Sequence, residues 1–447
     1  VRSVFFLVMA LLGIGVMLLV VNFMDSMYNT PTYMVTYKIV EDVAGAINLF
    51  AIIFIIFYSG TTIWREREHR VDELVGVTPV RNSVLFFSKF IGLSLSALVM
   101  LLVAAVTGIC IQLYSGFYQI DLLQYGVSIL RGLASVMVLI AFCLSVQVYT
   151  PNKYVGFFIS LVPLVILPIV FGLLEWGSDL VDFNSSGPSD PYSDMNGYGS
   201  TFDKWPFFRL YWTSFAAILV LLALLVYPRG KEKRIKARWR LSAPAALPVF
   251  RWGLVAACVL MAAAGGFIFY QTRVLQAYTK PKEQEKKTAQ MEKKYGRYKK
   301  LEQPRIIAVQ LEVDIYPSSK ELRMAGTYVL QNKTGAPIDT LYVDYMGGEK
   351  SPYRFEVFKT SVPHQLISDD PSYGIRLLKL KQALAPGDSM RLVFDLRYKP
   401  RGLFDRGNSP VVSNGTFVNS SLLPSFGYNE DGAVSCTHLT LPTNREV

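Results

Sequence analysis

The chain has 447 residues, of which 51% are hydrophobic and only 18% charged, below the roughly 25% charged of an ordinary soluble domain. Its formal net charge is +11 and its mean hydropathy +0.31. These values exclude a disordered chain, a collagen-like chain and a disulfide scaffold, and they argue against a purely soluble protein. Cys110, Cys143, Cys258 and Cys436 are not spaced as a zinc site. The positive charge is concentrated in residues 228–251 and 271–305, each of which sums to +7. Both stretches flank apolar runs, so the charge reads as membrane-proximal and not as a nucleic-acid face.

A membrane span needs about 20 mostly apolar residues. Seven stretches approach this, at about 4–24, 43–60, 90–113, 126–149, 154–174, 210–227 and 251–270. The first lacks the recurring polar stripe of a soluble helix. Val1 and Arg2 lead straight into it, and the chain is read as beginning partway into a longer protein. The loop after the second span carries Arg65, Arg67, Arg70, Arg81 and Lys89, whereas residues 114–125 hold no Lys or Arg. Lys153 follows the fourth span, and eight Lys and Arg fill 228–251. By the positive-inside rule the odd-numbered spans run outward and residues 271–447 lie outside the cytoplasm. The basic run 273–305 pulls the other way, but only Arg273, Lys280 and Lys282 lie close to the span end.

Within the spans, Ser88, Gly92, Ser96, Ala104 and Gly108 form a small-residue stripe, interrupted by Met100, that suits helix packing. Cys258, Ala262 and Gly266 repeat the spacing in the last span. Arg131 is an intramembrane charge near the outer end of the fourth span, and snorkelling to the headgroups is its simplest reading. The acidic loop 175–209 begins with Glu175-Trp176 and ends near Trp205, aromatics suited to an interface.

Residues 273–304 read as a charged, solvated helical stalk. Beyond Pro304 the pattern alternates. Val309, Leu311, Val313 and Ile315 predict a half-buried strand, residues 324–330 its return, and Met390, Leu392, Phe394 and Leu396 another strand. Turns are predicted at Pro317-Ser318-Ser319, Asn332-Lys333-Thr334-Gly335 and Ala385-Pro386-Gly387-Asp388. The predicted fold is a membrane helical bundle followed by an all-β, sandwich-like domain outside the cytoplasm.

No H-E-x-x-H, G-x-x-x-x-G-K-[ST] or G-x-S-x-G motif is present. The chain is therefore expected not to be an enzyme in itself, and any nucleotide would be hydrolysed by another chain. In the loop after the second span, Glu66 and Arg70 have the spacing of a helical ion pair. Val71, Leu74 and Val75 make an apolar stripe there, and Gly76-Val77-Thr78-Pro79 breaks the helix. Such an amphipathic element suits docking to a soluble partner.

Two groups of residues carry a family resemblance. Phe57-Tyr58-Ser59-Gly60, Trp64-Arg65-Glu66-Arg67 and Ser88-Lys89 resemble the cytoplasmic loop of ABC transporter permeases of the ABC-2 type. Glu302-Gln303-Pro304, Val313-Asp314-Ile315-Tyr316-Pro317, Asn414-Gly415-Thr416-Phe417 and Gly427-Tyr428 resemble the first β domain of zinc aminopeptidases of the aminopeptidase N family. The chain as a whole resembles bacterial fusions of the two. The resemblance implies a six-span permease at 1–230, a basic loop with a seventh span at 231–272, the stalk at 273–304 and the β domain at 305–433. It also implies an inner-membrane location and an ABC ATPase subunit as partner, with ATP bound on that subunit. Trp64, Arg65, Glu66, Arg67, Glu68, Asp72 and Glu73 would be the docking residues. The bilayer and a second permease half or second copy would be further partners, and no nucleic acid is expected. Zinc belongs only to the catalytic domain, which would follow Tyr428. The alternative reading is a membrane-anchored zinc aminopeptidase lacking that domain. Residues 434–447 continue neither pattern and read as a non-native tail.

Overall fold

A computed structural model describes residues 4–22, 33–174, 179–188, 192, 194, 197–199, 201–228, 235–242, 248–275, 281–347, 351–402, 409–412, 415–416 and 418–429. Glu175-Trp176 and residues 434–447 lie outside these. The chain divides into two compact units, Val1–Gly187 with Trp205–Ile268, and Pro188–Lys204 with Phe269–Val447.

The first unit is helical. Its helices are α1 (Val4–Asn22), α2 (Thr36–Glu68), α3 (Asp72–Val77), α4 (Asn82–Tyr114), α5 (Leu122–Tyr149), α6 (Lys153–Leu161), α7 (Leu167–Leu174), α8 (Thr201–Leu225), α9 (Ile235–Ser242) and α10 (Pro248–Phe269), the last running on as a π-helical segment Tyr270–Leu275. Among the described residues, seven helical segments are long and apolar enough to cross a membrane. Each matches a predicted span, and most extend past it into polar sequence, where backbone hydrogen bonding continues the helix beyond the apolar stretch. The sixth starts at Thr201 and not near 210, so Lys204 and Arg209 are helical. Between α6 and α7 a π-helical turn spans Val162–Ile166. Pro168 has no N–H for the carbonyl of Leu164, and the Leu167 N–H bonds Val162 five residues back.

Helix α2 is the hub, packing on α1, α4, α5 and α6. The core runs through Phe54, Ile55, Leu93, Met100, Ile140, Leu144, Trp212 and Ala223. The predicted small-residue stripes are corrected here. On α4 the buried line passes through Phe86, Leu93, Ala97, Met100, Ala104 and Gly108, while Ser88 and Gly92 are exposed. A strict four-residue repeat drifts about 40° per step on a helix of about 3.6 residues per turn, so one end of such a stripe leaves the packed face. On α10, Cys258, Ala262 and Gly266 point outward, and Ala257, Ala264 and Ile268 are buried instead.

The second unit holds two four-stranded antiparallel sheets. Its elements are α11 (Pro281–Tyr295), β1 (Arg305–Tyr316), β2 (Glu321–Gln331), β3 (Ile338–Asp344), β4 (Tyr353–Thr360), β5 (His364–Asp370), β6 (Ile375–Leu384), β7 (Ser389–Tyr398), β8 (Val411–Val412), β9 (Gly415–Thr416) and β10 (Ser425–Phe426). The strand orders are β1-β2-β7-β4 and β10-β3-β6-β5, with β8 and β9 as a separate pair. Alternate residues Leu322, Met324, Tyr328 and Leu330 of β2 meet Leu341 and Val343 of β3 and Leu378 and Leu380 of β6 in one core. Gly326 is opposite Phe394, whose ring fills the place a Cβ would take. Two predicted turns are joined by Asn332, fully buried. Its Nδ2 donates to the carbonyls of Ala336 and Leu384 at 2.8 Å, and its Oδ1 accepts from the Thr334 backbone and hydroxyl.

Two expectations change. β1 is exposed along nearly all its length, not half-buried; it is an edge strand, and Leu311 is its contact with the core. The predicted stalk is docked: Met291, Tyr295 and Tyr298 pack with Tyr342, Ile375, Leu377, Tyr373 and Tyr428, and Lys294 pairs with Asp370 at 2.7 Å. The aromatic side chains that make this contact lie at the end of a Lys- and Glu-rich run, which masked them.

Candidate docking surface and buried charges

One end of the helical unit gathers the residues expected to dock a partner. α2 ends at Glu68, and Arg70 takes a left-handed conformation with φ 56°. The predicted Glu66–Arg70 helical pair therefore does not form. Glu66 reaches Lys89 of α4 at 2.9 Å, and Lys89 donates to the Tyr227 hydroxyl at 2.9 Å. Glu68 accepts from Lys153 at the start of α6 at 2.5 Å. Trp64 turns inward, its indole N–H donating to Gln147 Oε1 of α5 at 3.0 Å, and the Arg67 guanidinium lies 5.1 Å from the Trp64 ring centroid. Gln147 is wholly buried where α2 and α6 cross, and a Cβ at Gly60 or Gly156 would run into the side chains gathered there. Trp64, Glu66 and Glu68 thus lash α2 to α5, α4 and α6, and Arg67 lies over Trp64 beside them.

The loop residues beyond them behave differently. α3 buries none of its residues, and Leu74 and Val77 are 68% and 83% exposed. Asp72 and Glu73 occupy its first turn, where carboxylates favour the positive helix end, and Asp72 attracts Arg67 electrostatically. Arg65 is exposed on the last turn of α2. Asp72, Glu73, Leu74 and Val77 share the short helix α3 beyond that lashed base, and Arg65 is exposed on the preceding turn of α2.

Arg238 was hidden in the basic run 228–251. From α9 it donates through Nη1 to the carbonyls of Val148 at 3.1 Å and Val226 at 2.9 Å, capping the C-terminal ends of α5 and α8. A cation suits the negative end of both helix dipoles.

At the opposite end of α5, Arg131 is half-buried and repels Arg209 of α8. Arg209 is only 6% exposed. It donates to the Ser135 hydroxyl at 3.0 Å, to Asn184 Oδ1 at 2.8 Å, and to the carbonyls of Asn184 and Ser185 at 2.6 and 2.8 Å. Asn184 returns a bond to the Ser135 carbonyl at 2.9 Å. Phe183, the preceding residue, packs in tilted and edge-to-face contacts with Phe142, Trp212 and Phe215. A non-helical stretch of the 175–209 loop thus tucks between α5 and α8, its carbonyls satisfied by one guanidinium. Backbone carbonyls buried away from water require such partners. Arg209 carries no local sequence signal, because its partners lie 23 to 74 residues away.

No family model matches the chain, and no curated protein does. Among solved structures, it is similar to the alkylpurine DNA glycosylase AlkC of Pseudomonas fluorescens bound to DNA with an abasic-site analogue, at 9% identity over 83% of this chain and 98% of that one. The TM-score is 0.14, which does not amount to a shared fold. Among the described residues, no group of three or more His, Cys, Asp or Glu is placed to hold a metal ion.

Proposed function

We propose that this chain is the permease subunit of an ABC-type transporter in a bacterial inner membrane, driven by an ATPase on a separate chain and carrying an aminopeptidase-like β domain outside the cytoplasm. The observation that carries the reading is α3: a short helix with an apolar outer side, set on a base stiffened by Glu66–Lys89 and Glu68–Lys153. A mechanical link to a soluble motor needs both features, an apolar contact and a rigid attachment to more than one span. The distribution of charge supports the orientation. Arg65, Arg67, Arg70, Arg81 and Lys89 share the α2–α4 end, while residues 114–125 hold no Lys or Arg. Arg65, Asp72 and Glu73 supply polar contacts around Leu74 and Val77, and Trp64, Glu66 and Glu68, with Arg67 over Trp64, hold the base.

The test is co-expression of the full chain with the ABC ATPase subunits of its source organism. Photo-crosslinkers attached at Leu74→Cys and Val77→Cys should join the chain to one such subunit, and the double variant Leu74→Asp/Val77→Asp should abolish co-purification. An exposed site tolerates these changes within about 0.5 kcal/mol of stability. Unchanged association of a normally folded double variant rejects the proposal.

A further inference from the structure

We infer that the β domain carries a docking surface for anionic phospholipid headgroups, formed by Arg354, Arg397, Lys399 and Arg401 at one end of the β1-β2-β7-β4 sheet. The inference rests on the membrane reading above and adds a ligand to it.

These four cations line an open cleft together with Pro352, Glu356 and Pro400. Strand register explains the clustering. Arg354 of β4 is opposite Arg397 of β7, and Arg397 is opposite Arg323 of β2, so three arginines stand in one row across the sheet. Like charges directly opposite one another on a sheet are unfavourable unless something offsets them. The available carboxylates offset part of the row. Glu321 holds Arg397 at 2.9 Å and Lys399 at 3.1 Å, and Asp395 holds Arg323 at 2.6 Å. Among the described residues, Arg354 and Arg401 have no ion-pair partner. The cleft lining itself carries four cations against the single carboxylate of Glu356.

The position of the cleft identifies its ligand. Gly402, next to Arg401, lies against Gln271 and Leu275, where a Cβ would meet their side chains. Those residues end the last span-length helix, Phe250–Leu275. At the same end of the sheet, Lys320 in the β1–β2 turn pairs with Asp203 at 3.3 Å, in the first turn of α8. All of these residues belong to the second unit. The end of the sheet that bears the cleft therefore meets Asp203, Gln271 and Leu275 of its own unit, which stand at the ends of span-length helices; on the membrane reading, phosphate headgroups lie at the level of such ends. Guanidinium groups match phosphate oxygens in geometry as well as in charge. Each Lys or Arg near an anionic surface strengthens attraction about fivefold at moderate salt. Arg354 and Arg401 are placed to bind phosphate without giving up a protein partner.

The experiment uses the full chain with its four cysteines replaced by alanine, reconstituted into vesicles. A fluorophore on Ser319→Cys, in the exposed β1–β2 turn, reports headgroup contact through a headgroup-attached nitroxide. A second fluorophore on Val259→Cys, midway along α10, reports acyl-chain contact. Vesicles are either wholly phosphatidylcholine or contain about 30% phosphatidylglycerol, a fraction set to give an anionic surface. The expected result is at least about twofold stronger quenching at position 319 in the anionic vesicles, lost in about 1 M salt where the Debye length falls to about 3 Å. Arg354→Glu/Arg401→Glu returns it to the zwitterionic level, and Arg354→Gln/Arg401→Gln gives an intermediate value. Neither substitution removes a partner from a buried carboxylate, so the domain should stay folded. Equal quenching in both lipids, no response to the variants, or displacement by inorganic phosphate at constant ionic strength overturns the inference. Absence of acyl-chain quenching at position 259 would instead reject the membrane reading beneath it.

Discussion

Glu66 of α2 and Lys89 of α4 form an ion pair at 2.9 Å, 23 residues apart in sequence, across the base of the loop that presents α3. Lys89 is 10% exposed and Glu66 26%, so the pair is screened less than a surface one. Its second partner, the Tyr227 hydroxyl, draws the end of α8 to the same cation. One ammonium thus joins three helices beneath the proposed docking surface.

A double-mutant cycle on Glu66→Gln and Lys89→Met in the full chain should give a coupling of about 1 kcal/mol. Lys89→Met should be the costlier single change, because it also strips the Tyr227 hydroxyl of its donor. Thermal unfolding in detergent measures both. Additive effects would show that the pair contributes nothing of its own.

Arg209→Lys should be nearly as damaging as Arg209→Met. An ammonium cannot reproduce the planar fork that reaches the carbonyls of Asn184 and Ser185 together with the Ser135 hydroxyl. The buried carbonyls left unpaired cost about 1–3 kcal/mol each. Limited proteolysis should then cut near residues 182–187 in the variants and spare the parent chain.

Gly326→Ala should destabilise the β domain by about 1–3 kcal/mol, because the added methyl enters the space of the Phe394 ring. Phe394→Leu should relieve part of that loss when combined with it. A glycine needed only for chain flexibility would show no such rescue. Hydrogen exchange at β2 and β7 amides is the suitable readout, since residues 305–429 contain no tryptophan.

Two carboxylates should give the β domain opposing pH responses. Burial pushes Asp344 up to about 6, and the Tyr345 backbone N–H offsets part of that rise. The folded state then holds its proton more tightly than the unfolded chain. The stabilisation is fully present below the ordinary Asp value of 3.8 and is lost as pH rises through about 6. Discounted for partial solvent access, the effect is on the order of 1–2 kcal/mol. Asp370 behaves in reverse. Burial works to raise it, but the Lys294 ammonium and Tyr295 hydroxyl outweigh burial and hold it below its ordinary value. Its contribution is present above 3.8 and disappears as pH falls through the lower folded value. Exchange rates in β3 and β6 measured between pH 4 and 7 should lose their dependence on this window in Asp344→Asn. Lys294→Ala should instead weaken the attachment of α11 near neutral pH.

The linear sequence determined the elements whose cause is local. Long apolar runs had to become helices, since each satisfies its own backbone hydrogen bonds. Alternation at 309–315 and 390–396, with turns at Asn332 and Gly387, had to become strands. Charge along the chain separated the Arg-rich loop after α2 from the loop after α4, which holds no Lys or Arg. What only the tertiary structure decided depends on which distant groups meet. Glu66 chose Lys89 over Arg70 because α2 ends before the local pair can close. Arg209 left the acidic loop for α8 and folded part of that loop back onto itself. The small-residue stripes of α4 and α10 lost their register because a repeat of four and a helix of 3.6 residues per turn do not stay in phase. Burial of a face, and the partner of a charge, are properties of two elements at once, and a pattern along one of them carries only half of that information.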